Sequence, residues 1–143
     1  MAEQRQESGS PLQTRATQAM TKLLVDTGIL IDCLRGRAPA LAWFRGLPAS
    51  PAISVITLTE LQVGARSQRE QRDMADFRSE LTLFDVTEPI ADRGGVLMRH
   101  YRSSHGIDVS DALIAATVEH HGLALATLNL KHFPMFKGLK RPY

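Results

Sequence analysis

The sequence predicts an α/β domain built on a parallel sheet. Three observations point there. Short apolar, β-branched runs alternate along the whole chain with segments of helical hydrophobic period. No two neighbouring runs are joined by a hairpin turn, so strands must be linked by crossovers that cover both faces of a sheet. The chain has 143 residues, 43% of them hydrophobic, which suits one domain with a real core.

The elements follow in order. Residues 1–19 hold Gln, Ser, Arg and Thr with no Ile, Val or aromatic side chain. Such a stretch cannot bury enough to offset its ordering entropy, so it is read as a disordered tail, with the folded domain over residues 20–143. Lys22 to Asp26 is the first strand, an apolar run that stops on a carboxylate. Ile29, Leu30, Cys33 and Leu34 recur at helical spacing, and Arg35-Gly36 ends that helix. Ala40 to Gly46 is a short second helix. Ala52 to Ile56 is a β-branched second strand. Thr57 and Glu60 have the spacing of a capping box opening a helix towards Arg66. Residues 68–80 read as an exposed helix, and Leu81 to Val86 as the third strand. Thr87-Glu88-Pro89 is a helix start, with a hydroxyl cap, a first-turn acid and an early proline; the helix runs to about Ser103. Ser110 is expected to cap a buried helix, Asp111 to His121, that Gly122 ends. Leu123 to Thr127 is the fourth strand, and Asn129 to Phe133 offers a short fifth.

In a parallel α/β sheet the carboxyl ends of all strands share one edge, and sites form there. Asp26 ends the first strand, Glu60 follows the second, and Thr127 and Asn129 follow the fourth. Asp111 reaches the same edge if its helix starts on that side. Carboxylates brought together repel and raise one another's pKa unless a cation joins them. All-oxygen donors without clustered His or Cys suit Mg²⁺ or Mn²⁺. Such a metal activates water and neutralises charge on a phosphoryl oxygen, which points to phosphodiester hydrolysis. Each acid also has a local explanation. Asp26 suits a helix cap, Glu60 the capping box, and Asp111 the positive end of a helix. Asp108 reads as solvated or as an outer ligand of the cluster, Asp32 as solvated, and Asn129 as a turn residue.

Other chemistries find little support. The five histidines lack metal-protease spacing, no serine lies in a nucleophile elbow, and no glycine-rich phosphate loop is present. The single cysteine, Cys33, excludes an internal disulfide and fits a cytoplasmic location. No run is long enough to span a membrane. Net charge is +2 and the pI about 9. Two basic groups, Arg93 to His105 and Lys131 to Arg141, would track a nucleic-acid backbone if they flank the acids. Aromatic residues make up only 6%, too few for a base-stacking platform.

Four motifs together resemble the PIN-domain ribonucleases, and among them the VapC toxin branch of type II toxin–antitoxin pairs. They are Leu24-Val25-Asp26-Thr27-Gly28, Thr57-Leu58-Thr59-Glu60-Leu61, Asp108-Val109-Ser110-Asp111-Ala112 and Ala126-Thr127-Leu128-Asn129. The resemblance covers Lys22 to the C-terminus. It implies a three-layer α/β/α sandwich around a central parallel sheet. Asp26, Glu60 and Asp111 fall on the family's metal-binding acids, and Asn129 falls where many members carry a fourth acid. Thr27 and Thr127 fall where hydroxyls support the site. The implied activity is Mg²⁺- or Mn²⁺-dependent endonucleolytic cleavage of RNA, often tRNA or another structured RNA. The implied partners are a VapB-like antitoxin and a second copy in a homodimer. The competing reading is a non-catalytic PIN-like module that binds RNA or protein, with the acids serving only as caps.

Overall fold

A computed structural model describes residues 22–143. The expected tail at residues 1–19 lies outside the described residues. The elements are β1 (Leu23–Val25), α1 (Thr27–Leu34), α2 (Ala38–Arg45), β2 (Ala52–Ser54), α3 (Val55–Gly64), α4 (Gln68–Arg78), β3 (Thr82–Phe84), α5 (Glu88–His105), α6 (Val109–His121) and β4 (Ala124–Ala126). A 3₁₀ turn, Leu130–His132, follows β4.

All strand pairs are parallel, in the order β3-β2-β1-β4. This order dictates the layers. The connections β1→β2 and β2→β3 step one way across the sheet, and β3→β4 steps back past β1. Right-handed crossovers then put α1–α4 on one face and α5–α6 on the other. The core divides accordingly. Val25, Ile29, Leu30, Ile53, Leu61 and Ala126 form one buried cluster. Leu24 joins Ile90, Leu97, Ile107, Ile114 and Phe133 in the second. The neighbours Leu24 and Val25 enter opposite clusters because strand side chains alternate. The direction of winding reverses between β1 and β4, and a crevice at the strand ends is expected at such a point.

α5 and α6 run against each other at close range. A Cβ added to Gly94 would sit 2.9 Å from Leu113 Cδ2 and 3.7 Å from the Ala112 backbone. At this crossing Arg93 Nε donates to Glu119 Oε2 at 2.7 Å, so one residue of the first basic group is committed to an ion pair.

Five expectations about the elements are corrected. The second β-branched run is strand only as far as Ser54. The Ser54 hydroxyl accepts from the Ile56 N–H at 3.2 Å, so α3 begins at Val55. Thr57 and Glu60 therefore lie inside that helix and form no capping box. Asp108, not Ser110, caps α6. Thr87 precedes α5 but makes no side-chain cap hydrogen bond. The expected fifth strand is the 3₁₀ turn, closed by His132 N–H to Asn129 O at 3.0 Å. Asp32 is not simply solvated either, since it accepts a 2.7 Å hydrogen bond from the Tyr143 hydroxyl.

Candidate active site at the carboxyl edge of the sheet

Asp26 stands at the end of β1, beside β4, and is 7% exposed. Its N–H donates to Ala126 O at 2.9 Å, which extends the β1–β4 ladder by one step. The extended backbone of Asp26 makes it the N-cap of α1, and Oδ1 accepts from the Thr27 N–H at 2.9 Å. Oδ2 accepts from Thr127 Oγ1 at 2.7 Å. Thr127 is itself buried just past β4, and its hydroxyl oxygen accepts from the Asn129 N–H at 3.0 Å. One hydroxyl thus ties the ends of the two strands at the switch point and fixes the Asn129 backbone.

Asp111 reaches the same edge from α6. It and Asp108 hold each other in a reciprocal capping box. Asp111 N–H donates to Asp108 Oδ1 at 2.8 Å, and Asp108 N–H to Asp111 Oδ2 at 3.2 Å. His132, carried by the 3₁₀ turn, brings Nδ1 to 3.2 Å from Asp111 Oδ2. Glu60 approaches from α3, where its Oε1 accepts from Thr27 Oγ1 at 2.7 Å.

The electrostatics distinguish these acids from ordinary caps. Hydrogen bonding to backbone N–H groups normally lowers a carboxyl pKa. Asp26 is instead raised, first by burial and further by the negative charge of Asp108. The hydrogen bonds from Thr127 and Thr27 and the proximity of His132 oppose that rise only in part. Asp111 is pushed up to about 6, again chiefly by burial, with the Asp108 charge adding to it. Asp26 and Asp111 therefore share the neighbours Asp108 and His132, and burial leaves the negative charge of each under-compensated.

Among the described residues, no three His, Cys, Asp or Glu side chains are gathered as a ready metal cluster. Glu60 is drawn onto the Thr27 hydroxyl. The donor chemistry nonetheless fits a hard divalent cation. The donors are carboxylate oxygens, two of the carboxylates are desolvated, and a positive charge would relieve both raised pKa values. Asp26 and Asp111 are able to hold it, with Glu60 one hydroxyl away.

The expected residues fare unequally. Asp26 and Asp111 converge, and Glu60 connects to Asp26 through Thr27. Asn129 contributes its backbone to the Thr127 linkage, while its side chain is exposed and makes no hydrogen bond among the described residues. The contacts of His132 with Asp111 and of Thr57 with Thr27, and the capping role of Asp108, escaped sequence reading. A signal existed only for Asp108, in the Asp-x-x-Asp spacing with Asp111.

Comparison with known proteins identifies the family. The PIN domain family matches residues 23–135. The chain is 42% identical over 124 residues to Ribonuclease VapC10 of Mycobacterium tuberculosis, which covers 85% of this chain and 92% of that protein. It is 44% identical over 124 residues to Ribonuclease VapC19 of the same organism, covering 84% and 98%. A solved toxin–antitoxin complex from Klebsiella pneumoniae contains a chain 36% identical, with a TM-score of 0.71 over 85% of this chain and 98% of that one. The chain belongs to the PIN-domain family, and within it to the VapC ribonucleases.

Proposed function

We propose that this protein is a metal-dependent endoribonuclease and the toxin of a type II toxin–antitoxin pair. The observation that carries this reading is the pair of desolvated aspartates, Asp26 and Asp111, at the β1–β4 switch point of a VapC-family chain. Relatives that bear the name ribonuclease, and a related chain solved in a toxin–antitoxin complex, support it.

The chain's own residues divide the work as follows. Asp26 and Asp111 bind the cation, Mg²⁺ or Mn²⁺ by the oxygen chemistry of the donors. Thr127 and the Asp108 capping box hold the two carboxylates in place. Glu60 completes the metal-binding set, directly or through a bound water, and Asn129 completes the catalytic set by orienting water or the scissile phosphate. When bound, the cation lowers the pKa of water and neutralises charge developing on the phosphoryl oxygens. His132 and the exposed Lys131 flank this edge and suit the RNA backbone, as do Arg99 and Arg102 on α5. The substrate is RNA, with tRNA or another structured RNA as the expected class. A VapB-like antitoxin would inhibit by setting a basic side chain against the acids, and the assembly would be a homodimer. No helix among the described residues is long and apolar enough to cross a membrane; the cytoplasm is the proposed place of action.

A non-catalytic module, with the acids serving as caps, has one observation in its favour, since Asp26 and Asp108 are caps. The raised pKa values of Asp26 and Asp111 weigh against it, because a carboxylate kept only as a cap is stabilised in its charged form. Incubating antitoxin-free protein with total RNA separates the two. Cleavage that needs Mg²⁺ or Mn²⁺, stops with EDTA and is absent in Asp26→Ala supports the nuclease. Intact RNA under every condition would leave the binding module.

A further inference from the structure

Thr27 Oγ1 has two oxygen neighbours, Glu60 Oε1 at 2.7 Å and Thr57 Oγ1 at 3.1 Å. A threonine hydroxyl carries one proton, and an ionised carboxylate can only accept. The proton on Thr27 must therefore point to Glu60. The short distance agrees with a charge-assisted O–H···O⁻ bond. Thr27 then has no proton left for Thr57, so the contact between them is made by the Thr57 hydroxyl donating to Thr27. The direction of the whole chain is fixed: Thr57 to Thr27 to Glu60. Thr57 is 0% exposed and Thr27 9%, so water cannot substitute for either bond without repacking. Thr57 sits one helical turn before Glu60 on α3, while Thr27 follows Asp26 on α1. Thr27 also donates its backbone N–H to Asp26 Oδ1 at 2.9 Å, so this one residue touches both the acid after the second strand and the acid that ends the first.

We propose that Thr57 is a positioning residue for the metal site, acting through Thr27 to hold the Glu60 carboxylate by Oε1 and leave Oε2 as the oxygen turned to the cation or its water. This rests on the nuclease reading above. Oε2 makes no hydrogen bond among the described residues, whereas Oε1 is committed to Thr27. Loss of the Thr57 hydroxyl removes the donor that orients Thr27 Oγ1 and polarises its bond to Glu60, so the carboxylate is held less firmly. The effect reaches the cation without Thr57 touching it, as partners behind metal ligands do elsewhere.

The test is Mn²⁺ binding to antitoxin-free full-length protein by isothermal titration calorimetry, alongside kcat and KM on RNA. Thr57→Val keeps the side-chain shape and removes the hydroxyl; it should weaken Mn²⁺ binding by about 10-fold and lower kcat with KM for RNA unchanged. Thr57→Ser should restore both. In a Glu60→Gln background Thr57→Val should add no further loss of affinity. Should Thr57→Val fail to fold, Thr57→Ala removes the hydroxyl without added bulk and is read in the same way. Equal Mn²⁺ affinity in wild type and Thr57→Val would overturn this inference alone, as would a loss that persists undiminished in the Glu60→Gln background. A wild-type protein that binds no Mn²⁺ and cleaves no RNA would overturn the nuclease reading and this inference with it.

Discussion

Replacing Asp111 by Asn keeps the side chain's shape and an acceptor oxygen for the Asp108 N–H, while removing a buried negative charge. The carboxyl of Asp111 titrates near 6 in the folded protein against 3.8 for an unperturbed aspartate. Between those values the folded chain holds a proton that the unfolded chain releases. Ionised Asp111 therefore destabilises the fold fully above about pH 6, and the cost vanishes as pH falls towards 3.8. A shift of that size corresponds to at most ~3 kcal/mol at about 1.4 kcal/mol per unit. Sharing of charge with Asp108 and the lost attraction to His132 reduce the expected gain to about 1–2 kcal/mol, or roughly 5 °C in Tm. The assay is thermal denaturation of antitoxin-free protein in EDTA at neutral pH and near pH 4. Asp111→Asn should melt above wild type at neutral pH and level with it near pH 4. Saturating Mg²⁺ should reverse the neutral-pH order, since a ligand at 100 times its Kd adds about 2.7 kcal/mol to the protein that binds it. A variant that melts below wild type in EDTA at neutral pH, or that gains as much as wild type from Mg²⁺, would refute the charge assignment.

Three further outcomes are expected. Thr127→Val leaves Asp26 Oδ2 without its hydroxyl donor and the Asn129 N–H without its acceptor, so urea denaturation should show a loss of about 1–3 kcal/mol that Thr127→Ser largely restores. Glu60→Gln lies inside α3 and caps nothing; its urea midpoint should stay near wild type while RNA cleavage on gels falls by roughly 100-fold. Tyr143→Phe removes the hydroxyl that Asp32 accepts and should cost about 1 kcal/mol in the same denaturation assay, with cleavage unaffected.

The strand runs and their alternation with helices were legible because each buried strand is a short apolar run of fixed direction. Boundaries were less legible where one residue type serves two states. Val55 and Ile56 look like strand, yet a serine cap before them and a core on one side are enough to start a helix. That same shift dissolved the apparent capping box at Thr57 and Glu60. Asp26 and Asp111 could be read because topology alone brings strand ends and a helix start to one edge. Ser110 looked a better cap than Asp108 because either residue type suits an N-cap, and only the reciprocal bond with Asp111 decides between them. His132 meets Asp111, and Tyr143 meets Asp32, through turns whose path depends on tertiary packing. No local pattern encodes such contacts.

The nuclease reading stands on a divalent cation held at the β1–β4 edge between Asp26 and Asp111. An anomalous difference map from a crystal of the antitoxin-free protein soaked in Mn²⁺ addresses it directly. A peak is expected within about 2.0–2.3 Å of a carboxylate oxygen from each aspartate, lost in Asp26→Asn. A peak elsewhere on the molecule, or none at this edge with manganese in excess, would contradict it.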